Sequence, residues 1–88
     1  MATKNATLTT TDWQDVETIT DIVLANGNSY TLTIRGGYNG EVCIAADTPA
    51  NTLVGHPLHS NQNFNYTHTA GDKCFVKADA VGATFVIS

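Results

Sequence analysis

The chain has 88 residues, a formal net charge of −4 and a charged content of only 14%, against about 25% in a typical globular protein. That length holds one domain near the small end of what folds alone. Its four basic residues, Lys4, Arg35, Lys73 and Lys77, are spread out, which excludes a basic footprint for nucleic acid or anionic lipid. No run approaches the roughly 18 apolar residues of a membrane-spanning helix.

Residues 1–11, MATKNATLTTT, are small, polar and without periodicity, and they are expected to form a flexible N-terminal arm preceding a single domain over 12–88. The arm lacks an apolar h-region, so synthesis and folding in a cytoplasm are expected. The sequons Asn5-Ala6-Thr7 and Asn65-Tyr66-Thr67 then carry no weight. Cys43 and Cys74 are too few for a disulfide scaffold and read as free thiols inside strands, with a bridge open only if those strands are neighbours.

The segment Trp13–Leu24 supports two readings. Val16, Ile19, Ile22 and Val23 have helical spacing with Thr11 or Asp12 as a cap, but most are β-branched, and a strand is the favoured reading. Asn26-Gly27-Asn28 then forms a three-residue corner into a second strand, Tyr30-Thr31-Leu32-Thr33-Ile34-Arg35. Here Tyr30, Leu32 and Ile34 share one face. A third strand, Glu41–Ala46, places Val42, Ile44 and Ala46 on one face. Parity predicts that these two arms pair as a hairpin, Ile34 opposite Ile44, around the loop Tyr38-Asn39-Gly40 with Gly40 left-handed.

Residues 47–63 are irregular. Pro49 and Pro57 exclude a central strand, and Leu53, Val54 and Leu58 are expected to tuck the loop onto the sheet. His56 and His59 are three apart, but Pro57 lies between them and no Cys or carboxylate completes a set, so no metal site is expected. His68 is isolated. Phe64 and Tyr66 mark a short strand, Gly71-Asp72 a turn, and Cys74, Val76 and Ala78 one face of another strand. Ala80-Val81-Gly82 returns the chain into a last strand with Phe85 and Ile87 alternating with Val86. That strand runs to Ser88, as strands built into a sheet do. The sum is an all-β fold: a small antiparallel β-sandwich or barrel of about six to seven short strands.

Catalytic constellations with credible spacing are not found: no G-x-S-x-G, phosphate loop, H-E-x-x-H or C-x-x-C. Ser60 beside His59 makes no triad. Asp12, Asp15 and Glu17 read as solvated surface groups, and Asp47 and Asp72 as turn formers. The expectation is a protein that is not an enzyme and takes no cofactor.

The runs LANGNSYTLTIRGG, VCIAADTPANTLVGHPL and GDKCFVKADAVGATFVIS resemble small virion structural proteins of tailed bacteriophages. Tyr30, Leu32, Arg35, Gly36, Pro49, Gly55, Leu58, Lys77, Ala78, Gly82 and Ala83 carry the likeness. It spans about Leu24 to Ser88; the Cys43 strand and Trp13–Thr20 depart from it. The resemblance implies a β-sandwich made in the bacterial host cytoplasm and located in the virion, a capsid decoration or head-fibre component. Its implied partners are copies of itself in a homo-oligomer and the major capsid or other virion proteins, with no nucleic acid or membrane. Trp13, Tyr38 and Asn39 are the candidate interaction residues. The alternative is a carbohydrate- or receptor-binding module of a phage head fibre or tail, using Trp13, Tyr30, Tyr38 and Tyr66 as exposed rings. A host-directed interaction protein is a third reading.

Overall fold

Eight short strands and one helical turn make up residues 3–88, which the computed structural model describes. In chain order they are β1 (Lys4–Thr7), β2 (Gln14–Asp15), α1 (Val16–Thr20), β3 (Ser29–Arg35), β4 (Gly40–Ala45), β5 (His56–Leu58), β6 (Phe64–Thr67), β7 (Lys73–Ala78) and β8 (Thr84–Ile87). Two four-stranded sheets result, sheet A in the order β1-β8-β3-β6 and sheet B in the order β2-β7-β4-β5. All the named strand pairs are antiparallel. This is the small all-β sandwich that the alternation predicts.

Alternation also explains the core. Tyr30, Leu32 and Ile34 on β3 and Phe85 and Ile87 on β8 face inward from sheet A. Val42, Leu58, Cys74, Val76 and Ala78 meet them from sheet B, all buried. Each fully buried Leu, Ile or Phe contributes about 1.5–3 kcal/mol of apolar transfer.

Both expected hairpins are corrected. β3 pairs with β6 and β8, while β4 pairs with β5 and β7, so the chain changes sheets between Arg35 and Gly40. The closing return from β7 to β8 also crosses between sheets. Parity matches apolar faces equally well side by side within a sheet or opposed across a core, so it does not choose between the two. The left-handed residues at the first corner are Gly36 (φ 94°) and Gly37 (φ 79°). Gly40 opens β4 instead, where its missing Cβ lets the Lys77 carbonyl approach.

The N-terminal third departs most from expectation. Residues 4–7 of the expected arm form β1, paired to β8 from Lys4↔Ile87 to Thr7↔Thr84. Leu8 is wholly buried, its backbone bonded to Ala83 and Gly82; Met1 and Ala2 lie outside the described residues. Trp13–Leu24 is not a strand: after the two residues of β2 it makes one helical turn. Asp15 caps that turn by accepting from Glu17 N at 3.0 Å, and Asp21 ends it in the left-handed conformation (φ 57°). The i, i+4 pair Val16 and Thr20 is buried, with Thr20 Oγ1 donating to the Val16 carbonyl at 2.7 Å. Tertiary burial thereby overrides the β propensity of these residues.

α1 packs on β1, β2 and β7, which lie on one flank of the sandwich. The opposite flank is edged by β5 and β6, and Pro57 is placed on that edge as its missing N–H requires. Cys43 and Cys74 lie on adjacent strands, but Cys43 is opposite Phe75 and Ile44 opposite Cys74. Their side chains therefore leave opposite faces of sheet B, and both thiols are free. Among the described residues no helix is long and apolar enough to cross a membrane.

Candidate interaction surface

Residues 46–55 join β4 to β5 as a strap across the outer face of sheet B. Inward Val42 and Val76 fix the register, so Glu41 and Lys77, paired with each other, face outward. Gln14 opposite Val76 and Asp15 opposite Phe75 place Trp13 alongside Lys77 on that same face. The strap is tied down at these residues. Gly55 N donates to Glu41 Oε1 at 2.6 Å, and Lys77 Nζ donates to the Asn51 carbonyl at 2.9 Å. A Cβ on Gly55 would come within 2.7 Å of Trp13 Cη2, so the strap backbone rests directly on the indole. Lys77 Nζ stands 4.9 Å from the indole centroid, a cation–π contact of about 0.5–1 kcal/mol.

Leu53 and Val54 do not tuck inward as expected. They are 44% and 83% exposed, whereas Leu58 is buried as predicted. Leu53 N donates to the Ala50 carbonyl at 2.9 Å, turning the strap so that its apolar pair faces out. The result is an apolar tip on a pinned base. Two adjacent apolar residues between Pro49 and Gly55 were the available signal, since neighbours in an irregular loop rarely both face one sheet.

The three expected contact residues take different positions. Trp13 is only 7% exposed; it is the floor under the strap, and its Nε1 has no hydrogen-bond partner among the described residues. Tyr38 is half-buried against the core, its ring edge 3.3 Å from where a Gly36 Cβ would stand. Asn39 is exposed yet engaged. Its Oδ1 accepts from Ser60 N at 2.9 Å and its carbonyl from Asp79 N at 2.9 Å, clipping three connections together. Tyr38 thus packs toward the core and Trp13 on the outer face of sheet B.

The aromatic platform expected for sugar binding is not formed. Tyr30 and Tyr66 are buried with Trp13. Tyr30 Oη accepts from Ala25 N at 2.8 Å, and Tyr66 Oη lies 2.7 Å from Nδ1 of buried His68. Burial, then the neighbouring Cys74 thiol and Asp72 carboxylate, push the Tyr66 phenol up to about 12. Burial, then Asp15, push the Cys74 thiol up to about 12 as well.

An open cleft of about 250 Å³ lies between β5 and β6, lined by His56, Leu58, His59, Gln62, Asn63 and Phe64. Among its lining residues the His56 and Phe64 rings stand 4.8 Å apart between centroids, tilted to each other. Among the described residues there is no group of three or more His, Cys, Asp or Glu that could hold a metal ion. No protein-family model, curated protein or solved structure matches this chain.

Proposed function

We propose that this chain is a non-enzymatic structural protein of a tailed-phage virion, a decoration or stabilising component that binds other virion proteins and acts as a homo-oligomer. The carrying observation is the strap: Leu53 and Val54 are presented outward on a segment anchored to Glu41, Lys77 and Trp13. An apolar tip on a rigid base suits repeated docking, because little conformational freedom is lost on binding. The residues carrying the resemblance fit the same reading: Gly55 and Lys77 belong to the strap's anchorage, and Leu58 to the core beside it.

The test is mass-spectrometric detection of the protein in purified particles, with rebinding of purified protein to particles that lack it. Binding that Val54→Asp abolishes, with the fold intact by circular dichroism, is the expected result. Absence from particles, or equal binding by the variant, would overturn the reading. The carbohydrate- or receptor-binding alternative gains no specific observation, since three of the four rings it needs are buried.

A further inference from the structure

Two asparagines, Asn26 and Asn39, are followed directly by glycine; every other asparagine precedes a residue with a side chain. Such a pair carries its own electrophile and nucleophile. The glycine nitrogen can attack the asparagine side-chain carbonyl carbon and close a succinimide ring, and glycine, lacking a Cβ, crowds that approach least. Sequence alone gives the two pairs equal standing.

The fold holds them differently. Gly40 is buried in β4, paired with Leu58 of β5 on one side and Ala78 of β7 on the other. Asn39 is clipped at both its carbonyls, Oδ1 accepting from Ser60 N and the main-chain oxygen from Asp79 N, each at 2.9 Å. Gly40 N can reach Asn39 Cγ only if an inner strand of sheet B opens. Asn26-Gly27 lies instead in the connection from α1 to β3, where Asn26, Gly27 and Asn28 are all exposed. Gly27 has φ 81°, and the space where a Cβ would stand is open. Two hydrogen bonds restrain the pair: Gly27 N donates to the His68 carbonyl at 2.8 Å, and Ala70 N donates to Asn26 Oδ1 at 3.0 Å, at the surface. An exposed turn opens locally at far lower free energy than a central strand. The nucleophile beside Asn26 is therefore freed far more often than the one beside Asn39.

We propose that Asn26 is a self-modification site of the folded protein, converted through a succinimide to aspartate and isoaspartate, and that Asn39 is spared. Gly27 N bonds to Asn26 Cγ, the Cγ–Nδ2 bond breaks, and the Gly27 amide proton departs with that nitrogen as ammonia. Water then opens the ring at either carbonyl. The reaction needs water alone and does not depend on the virion reading. Its consequence falls where the turn meets residues 68–70. There His68 N also donates to the Asn28 carbonyl at 2.9 Å, and the buried His68 ring holds Nδ1 2.7 Å from Tyr66 Oη. Aspartate keeps an acceptor for Ala70 N. Isoaspartate sends the main chain through Cβ and Cγ and lengthens the turn by one carbon. Gly27 N and the acceptor for Ala70 N then cannot both keep their places, and His68 loses part of its support.

The full chain is incubated in mildly alkaline buffer, folded or in urea, and sampled over time. Trypsin cuts after Lys4, Arg35 and Lys73, so Asn26 and Asn39 fall in separate peptides, 5–35 and 36–73. Fragmentation spectra locate each amide-to-acid conversion, and enzymatic methylation of isoaspartate marks the rearranged product. In urea both pairs are expected to convert at similar rates. In the folded chain Asn26 is expected to convert at least about tenfold faster than Asn39. Asn26→Gln, at an exposed side chain, is expected to remove the methylation from peptide 5–35. Conversion of Asn39 as fast as Asn26 in the folded chain would overturn the proposal. So would an unchanged Asn26 over a period that converts it in urea, or methylation of peptide 5–35 that persists in Asn26→Gln. The isoaspartate form, separated by ion exchange, is expected to melt below the parent; equal melting would overturn the link to His68.

Discussion

Gly55 rests on the indole of Trp13. A Cβ there would stand 2.7 Å from Trp13 Cη2 and 2.6 Å from the Val42 carbonyl oxygen. The carbonyl belongs to a paired strand and cannot yield, so Gly55→Ala must lift the strap. A cost of about 1–3 kcal/mol is expected, as for overpacking elsewhere. Trp13 is the sole tryptophan, so its emission should shift to the red and become quenchable by acrylamide. Gly27→Ala is the comparison: it meets open space but carries φ +81°, costing about 1–2 kcal/mol from backbone strain alone with unchanged emission. Equal emission in the two variants would mean that the strap does not depend on this contact.

Leu8 anchors β1. Its side chain is wholly buried in the core cluster, Leu8 N donates to the Ala83 carbonyl at 2.8 Å, and its carbonyl accepts from Gly82 N at 2.9 Å. Leu8→Ala should destabilise by about 2–5 kcal/mol, the range for a buried leucine. Thr9→Ala, at an exposed neighbour, should stay within about 0.5 kcal/mol. Chemical denaturation of both measures the difference. A Leu8→Ala variant as stable as Thr9→Ala would restore the reading of residues 1–11 as a loose arm.

The strands β3, β7 and β8 were legible because alternate residues of each face one core, although Thr33 and Phe75 are buried on the outer faces as well. What was not legible is which strands are neighbours. Tyr30, Leu32 and Ile34 face Val42 across the core, and the sequence pattern would be the same if they lay beside it in one sheet. β1 and β2 were hidden for another reason: edge strands of four and two residues pair mainly through backbone groups, which leave no hydrophobic pattern. Leu8, in the expected arm, and Trp13, beside β2, were the large apolar signals in that region. The surface was least legible. Trp13 as an anchor and Leu53–Val54 as a tucked loop invert the observed arrangement, because the strap rests on Gly55 backbone and not on its own apolar side chains.

Cys74 and Tyr66 make stability fall in alkali. Each is neutral when protonated, and the folded protein holds its proton up to about 12, against ordinary values of 9.0 and 10.0. The unfolded chain releases those protons first, so it binds fewer of them as pH rises and stability declines. The contribution is intact below about pH 9 and is lost between about pH 9 and pH 12. Thermal melts across that window should show the decline, and Cys74→Ala should remove the part that begins near the lower limit. The thiols offer an independent check. Half-buried Cys43 should react with a disulfide reagent in the folded protein, while Cys74 should react only at the rate of unfolding. Two thiols reacting at one rate would contradict the placement of Cys74.

Tyr38 and Asn39 allow the structural and contact roles of the β3–β4 corner to be separated. The Tyr38 ring is half-buried against the core, so Tyr38→Ala should cost about 1–3 kcal/mol, short of the value for a fully buried aromatic. Asn39→Ala removes the acceptor for Ser60 N, a loss of about 0.5–1.5 kcal/mol, while Asn39→Asp keeps that acceptor and should restore most of it. Denaturation midpoints give the stabilities, and particle rebinding gives the contact role. Binding should fall only as far as stability does. Full stability with binding lost on Tyr38→Ala would make this corner a contact in its own right, because a ring that packs only inward cannot be missed by a partner and ignored by the fold.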